Sequence, residues 1–157
     1  MNVAIDTNVL ACAEGLNDVS KRDTALTLLA ALPPESTLLP VQTLAELFHV
    51  LVHKAGRSRR EATDAILTWG DAFPLIETSG DVLLAASDLA QAHRMSIWDA
   101  AILSAAADAR CRLLLSEDLH EGFTWRGVTV ANPFRAERHP LLAAITGSRK
   151  PDRRRRK

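Results

Sequence analysis

The chain has little cysteine: Cys12 and Cys111 are the only two among 157 residues. Two cysteines this far apart build neither a disulfide framework nor a close-spaced metal knuckle. No apolar run approaches the roughly 18 residues needed to span a membrane, so no membrane contact is expected. The first residues show no basic region followed by an apolar stretch and a small-residue cleavage site, so no secretory signal is read there. A reducing, cytoplasmic setting is the expectation. Internal repeats are absent too, which sets aside solenoid and propeller architectures.

What is present is the composition of one ordinary globular domain. The apolar fraction is 47% and the charged fraction 24%, and the length suffices for a substantial core. The net charge of zero conceals an asymmetry. Residues 148–157 hold seven basic residues and one acid, Asp152, leaving 12 basic and 18 acidic residues in the body. An acidic globule therefore carries a basic tail, low in apolar content and expected to be disordered. Such a tail attracts nucleic acid or is simply solvated.

Strands and helices alternate along the chain. Val3-Ala4-Ile5 reads as a buried strand. Val9–Glu14 makes a short helix, and Asp18 caps another from Val19 to Leu32, ended by Pro33-Pro34. Thr37-Leu38-Leu39 is a strand stopped by Pro40. Val41–Ala55 is a strong helix ended by Gly56. Ser58 with Glu61 forms a capping box for a helix to about Gly70. Phe73–Glu77 is a strand that Pro74 confines to an edge or a strand start. Thr78 with Asp81 matches a capping box before Val82–His93, and Ser96 with Asp99 another before a helix to about Ala109. Arg112–Leu115 is a buried strand, and Thr124–Asn132 a final one. This pattern predicts an α/β fold with a mostly parallel sheet of four to five strands and about seven helices.

Four acids fall where chemistry gathers in such folds. Asp6 ends the first strand, followed by Thr7 and Asn8, and ligand sites lie outside the carboxyl ends of parallel strands. Asp-Thr-Asn is equally good helix-capping chemistry. Asp118 repeats the pattern after Leu113-Leu114-Leu115 and Ser116, again with a cap as the alternative. Glu46 lies with Gln42, His49 and His53 on the one polar stripe of an otherwise apolar helix, which faces solvent or a wet cleft. Asp99 sits in the first turn of a packed, alanine-rich helix, as a capping-box residue or as an acid aimed into the fold. Were Asp6, Glu46, Asp99 and Asp118 to converge, their repulsion would call for a cation. Oxygen-only ligands select Mg²⁺ or Mn²⁺ over Zn²⁺. The fitting chemistry is phosphodiester hydrolysis, with Asn8 and Ser116 orienting ligands or water.

These motifs, in this order, resemble the PIN-domain nucleases, and within them the VapC toxins of type II toxin–antitoxin pairs. The residues that carry the resemblance are Asp6-Thr7-Asn8, Glu46, Trp98-Asp99-Ala100, Ser116-Glu117-Asp118-Leu119 and the closing Val128–Phe134 stretch. It spans residues 1 to about 135, leaving 136–157 as a C-terminal extension with the basic tail. It implies a three-layer α/β/α fold and a Mg²⁺- or Mn²⁺-dependent endoribonuclease. It also implies a homodimer and a small antitoxin that blocks the cleft. Carried over, Asp6, Glu46, Asp99 and Asp118 are the catalytic, metal-binding quartet, and Asn8 and Ser116 the supporting polar residues. Glu117 adds charge to the pattern, as a water-mediated ligand or a surface residue.

Other residues receive plainer readings. Trp98 is read as core packing rather than a base-stacking platform, and Trp69 and Trp125 as partly exposed. His49 and His53 line a groove wall or a dimer surface. Cys12 and Cys111 act as small buried hydrophobes. Lys54, Arg57, Arg59 and Arg60 contact an RNA backbone or form a solvated loop. Two rival functions remain: a catalytically silent PIN-fold module that binds nucleic acid or protein, and a phosphatase or phospho-acceptor. The second lacks the lysine that a phospho-acceptor wants at a strand end.

Overall fold

The computed structural model describes residues 1–147; the tail expected to be disordered, residues 148–157, lies outside them. Its strands are β1 (Asn2–Ile5), β2 (Thr37–Pro40), β3 (Leu75–Ile76), β4 (Cys111–Leu115), β5 (Thr124–Trp125) and β6 (Val128–Ala131). Its helices are α1 (Thr7–Ala13), α2 (Val19–Ala31), α3 (Val41–His53), α4 (Arg59–Ala72), α5 (Gly80–His93), α6 (Ile97–Asp108) and α7 (Pro140–Gly147).

The sheet runs in the order β3-β2-β1-β4-β6-β5. All pairings are parallel except β5 with β6. It thus has six strands, against the four to five expected. The extra strand comes from the Thr124–Asn132 stretch, which is a hairpin rather than one strand. Arg126 (φ 45°) and Gly127 (φ 84°) make its two-residue turn. Two successive positive φ values belong to the turn type whose twist matches that of paired strands.

The chain builds outward from β1 through β2 to β3, then returns to β1's other side for β4. Adjacent connections leave in opposite directions there, so a crevice opens at the carboxyl ends of β1 and β4.

Side-chain alternation along the strands divides the core. Val3, Ile5, Leu39, Leu113 and Leu115 pack one face of the sheet with α1, α2, α3, α4 and Leu142 of α7. Ala4, Leu38, Leu114, Val128 and Val130 pack the other face with α5 and α6. This is the three-layer α/β/α arrangement. The α6 helix is mostly apolar, and residues 100–106, Ser104 among them, are all buried, as befits a helix enclosed by its neighbours.

Local signals set most of the ends. Asp18 caps α2 by accepting from Lys21 N–H at 2.7 Å. Both halves of the Ser58–Glu61 capping box form. The Thr78–Asp81 box does not. Ser79 caps α5 instead, accepting from Val82 N–H at 3.2 Å, and it stands one residue closer to the helix. Glu14 ties three elements together: Arg57 donates to its carboxylate at 2.6 Å and its carbonyl at 2.7 Å, and the Trp69 indole donates at 2.8 Å. Arg57 is therefore a brace rather than part of a solvated basic cluster.

Candidate acidic site

Asp6 and Ser116 follow directly from the sheet. Asp6 N–H donates to the Leu115 carbonyl at 2.9 Å, and Ser116 N–H to the Ala131 carbonyl at 3.1 Å. The ladder therefore extends one step past β1 and β4 and sets the two side chains together at the crevice. Ser116 Oγ donates to Asp6 Oδ2 at 2.6 Å, and Asn8 Nδ2 to the same oxygen at 3.1 Å. Thr7 N–H donates to Oδ1 at 2.7 Å, so Asp6 also caps α1. The cap and the site are one residue.

Asp6 is 3% exposed, and its hydrogen-bond donors are all neutral. Burial is the largest influence on its carboxyl and pushes it from the ordinary 3.8 to about 7. The bonds from Ser116 and Thr7 oppose this, while the charges of Asp99 and Glu46 add to it. Two of the other three expected acids thus act on Asp6.

Glu46 reaches the crevice because Thr43 Oγ1 donates to the Ile5 carbonyl at 3.0 Å, pinning α3 to the end of β1. Thr7 Oγ1 donates to Glu46 Oε2 at 3.2 Å and Gln42 Nε2 to Oε1 at 3.0 Å. Of the polar stripe of α3, Gln42, Glu46 and His49 face the cleft. Asp99 is half-buried in the first turn of α6. Ser96 Oγ accepts from its backbone N–H at 3.1 Å, but the reciprocal bond from its carboxylate is absent among the described residues. That carboxylate is left over for other work.

Asp118 stands apart. It is exposed in the bend after β4 and is not among the charges acting on Asp6. Its charge acts on the Cys12 thiol, which burial raises above its ordinary value. Glu117 N–H donates to Asn8 Oδ1 at 3.0 Å, and its carboxylate pairs with Lys21, so it is neither a free surface acid nor bare toward the crevice. Among the described residues no three acids, histidines or cysteines are grouped closely enough to enclose a metal ion.

A buried carboxylate, acids repelling it, and no cation among its partners in the described residues leave negative charge that fits Mg²⁺ or Mn²⁺. The openness also suits Mg²⁺, which keeps several waters and takes one or two carboxylates alongside substrate phosphate rather than a closed protein cage.

Sequence reasoning missed Thr43, Thr7 and Gln42 as the residues that place Glu46. Gln42 lies one helical turn before Glu46 on the same stripe, which was the available signal. The Lys21–Glu117 pair had none. Trp98 corrects an expectation: it is 60% exposed, not core. It precedes Asp99 at the open end of α6, where the helix has not yet entered the core.

An α/β fold with carboxylates at the switch point of a parallel sheet defines a class of protein whose chemistry sits at that edge. The PIN domain family model matches residues 3–120, and the chain belongs to the PIN-domain family. No curated protein matches it. Among solved structures it is similar to Mycobacterium tuberculosis VapC20, described as a sarcin-ricin loop cleaving toxin. The identity is 19% over 74% of this chain and 90% of that one, with a TM-score of 0.64. A toxin–antitoxin complex from Klebsiella pneumoniae is 22% identical over 85% and 98%, with a TM-score of 0.63. VapBC2 from Rickettsia felis, bound to a DNA fragment from its promoter, is 14% identical over 83% and 97%, with a TM-score of 0.60. At these identities the likeness is one of fold.

Proposed function

We propose that the protein is a divalent-metal-dependent endoribonuclease, the toxin of a toxin–antitoxin pair, with Asp6, Glu46, Asp99 and Asp118 as its acids. The observation that carries this is Asp6: a buried carboxylate at the switch point, held only by neutral donors and repelled by Glu46 and Asp99. Family membership supports a nuclease, and the toxin and toxin–antitoxin titles of the similar structures support the pairing.

Asp6, Glu46 and Asp99 would hold the ion, with Asp118 joining from the rim. When bound, Mg²⁺ or Mn²⁺ supplies an activated water and charge neutralisation at the scissile phosphate. The chain's own residues preorganise this. Ser116 and Asn8 fix Asp6, and Thr7 and Gln42 fix Glu46, so little side-chain freedom remains to be lost at the reacting centre. The substrate is RNA. The partners are a small antitoxin that occupies the cleft and a second copy of the chain. No helix among the described residues is long and apolar enough to cross a membrane.

The test is cleavage of RNA with Mg²⁺ or Mn²⁺, repeated in EDTA and with Asp6→Asn. Activity is expected to fall at least a hundredfold in both cases. Turnover that survives either change sinks the mechanism. A second reading, a silent PIN-fold module, draws on the lack of a closed ligand group among the described residues. It expects RNA binding without metal-dependent turnover.

A further inference from the structure

A groove of about 510 Å³ runs along α3 beside the acids, lined by Gln42, Ala45, Glu46, His49, Val50, Lys54 and Trp98. Three features give it a chemical character. Its apolar part is one exposed indole with Ala45 and Val50, a surface that suits a single flat ring. Gln42 and His49 add groups able to donate and accept hydrogen bonds. Lys54 closes the far end, and no ion pair holds its ammonium among the described residues. Glu46 belongs both to this groove and to the acidic site, through the Thr7 bond. From Glu46 to Lys54 the helix rises about 12 Å, enough for a nucleotide next to the acids.

We propose that this groove is a nucleotide subsite: an unpaired base of single-stranded RNA stacks on Trp98, with its phosphate drawn by Lys54. The inference rests on the nuclease reading and adds how that site grips its substrate. Stacking on an aromatic face is the general way proteins hold unpaired bases, because every base offers a π-face. The cation argues for this occupant. The body is acidic overall, yet the groove pairs its one large apolar surface with a free ammonium. Trp98 is then a substrate-binding residue that grips any unpaired base, since it touches the substrate away from the scissile bond.

The experiment measures binding of a fluorescein-labelled random-sequence single-stranded RNA to the full chain, in an Asp6→Asn background so that the probe is not consumed. Trp98→Ala is expected to weaken binding about tenfold, the loss of one base stack. Trp98→Phe should recover most of it, and an RNA duplex should show no Trp98 dependence. Melting should be little changed, since the side chain is exposed. Equal affinity in Trp98→Ala, or no binding of single-stranded RNA at all, overturns the inference. So does a change of oligomeric state in sedimentation, which would make the face an interface between copies. Cleavage by the otherwise wild-type chain separates the two readings. Turnover with Trp98-independent binding sinks only the groove; Trp98-dependent binding without turnover sinks only the nuclease.

Discussion

Asp6 follows β1, caps α1 and is buried at the crevice beside the charges of Asp99 and Glu46. Its folded pKa of about 7 lies above the ordinary 3.8. The folded chain therefore binds one proton more than the unfolded chain between about pH 4 and pH 7. By linkage, the stability this provides is complete below about pH 4, drains as pH rises through 7, and is gone above it. The shift corresponds to at most about 4 kcal/mol. Asp6→Asn keeps a good N-cap and carries no charge. In EDTA the variant should melt near wild type at pH 4 and several degrees above it at pH 8, at about 2–4 °C per kcal/mol. A wild type that melts higher than the variant at pH 8 would contradict the burial argument. Ser104 is a smaller case. It is 3% exposed, and its hydroxyl has no hydrogen-bond partner among the described residues. A buried unpaired hydroxyl costs about 1–3 kcal/mol, so Ser104→Ala should be neutral to stabilising in urea denaturation.

Elements were legible wherever a local signal decided them. Ser58 and Glu61 announced α4, and both of their bonds form. Ser58→Ala should cost about 1 kcal/mol, read as a lower urea midpoint with an unchanged slope. The β5–β6 hairpin was not legible. Its turn is Arg126-Gly127, without the Asn or Asp that usually marks such turns. A Cβ on Gly127 would meet nothing within 4 Å, so Gly127→Ala reports the positive φ alone, at about 1 kcal/mol. Trp98 shows the other limit. The capping box and the alanine-rich run named α6 as a packed helix, and from Ala100 to Ala106 it is. They did not show how far the first turn projects beyond the sheet. The site was legible in the same uneven way. Asp6 and Ser116 follow from strand ends and Glu46 from a polar stripe. The exposed Asp118, and the threonines that hold α3 and Glu46, depend on contacts between distant segments.

At the scale of the whole molecule, charge is divided against function. The body holds an excess of six acids, and residues 148–157 an equal excess of basic residues. On the proposed nuclease reading, an RNA approaching the acidic crevice meets a repulsive globule, so attraction must come from the tail or from scattered cations such as Lys54. Each phosphate neutralised on a single strand adds about 0.7 to the slope of log affinity against log salt. Deleting residues 148–157 should therefore flatten that slope, by up to about 4 if all six excess charges engage phosphate. The proposed site is built from residues up to Asp118, far from the tail in sequence, so the deletion should raise KM at low salt and leave kcat unchanged. At high salt, where screening removes the steering, the two proteins should converge. A salt slope unaffected by the deletion would place the electrostatic grip on the body itself. A fall in kcat would mean that the tail serves the chemistry rather than the encounter.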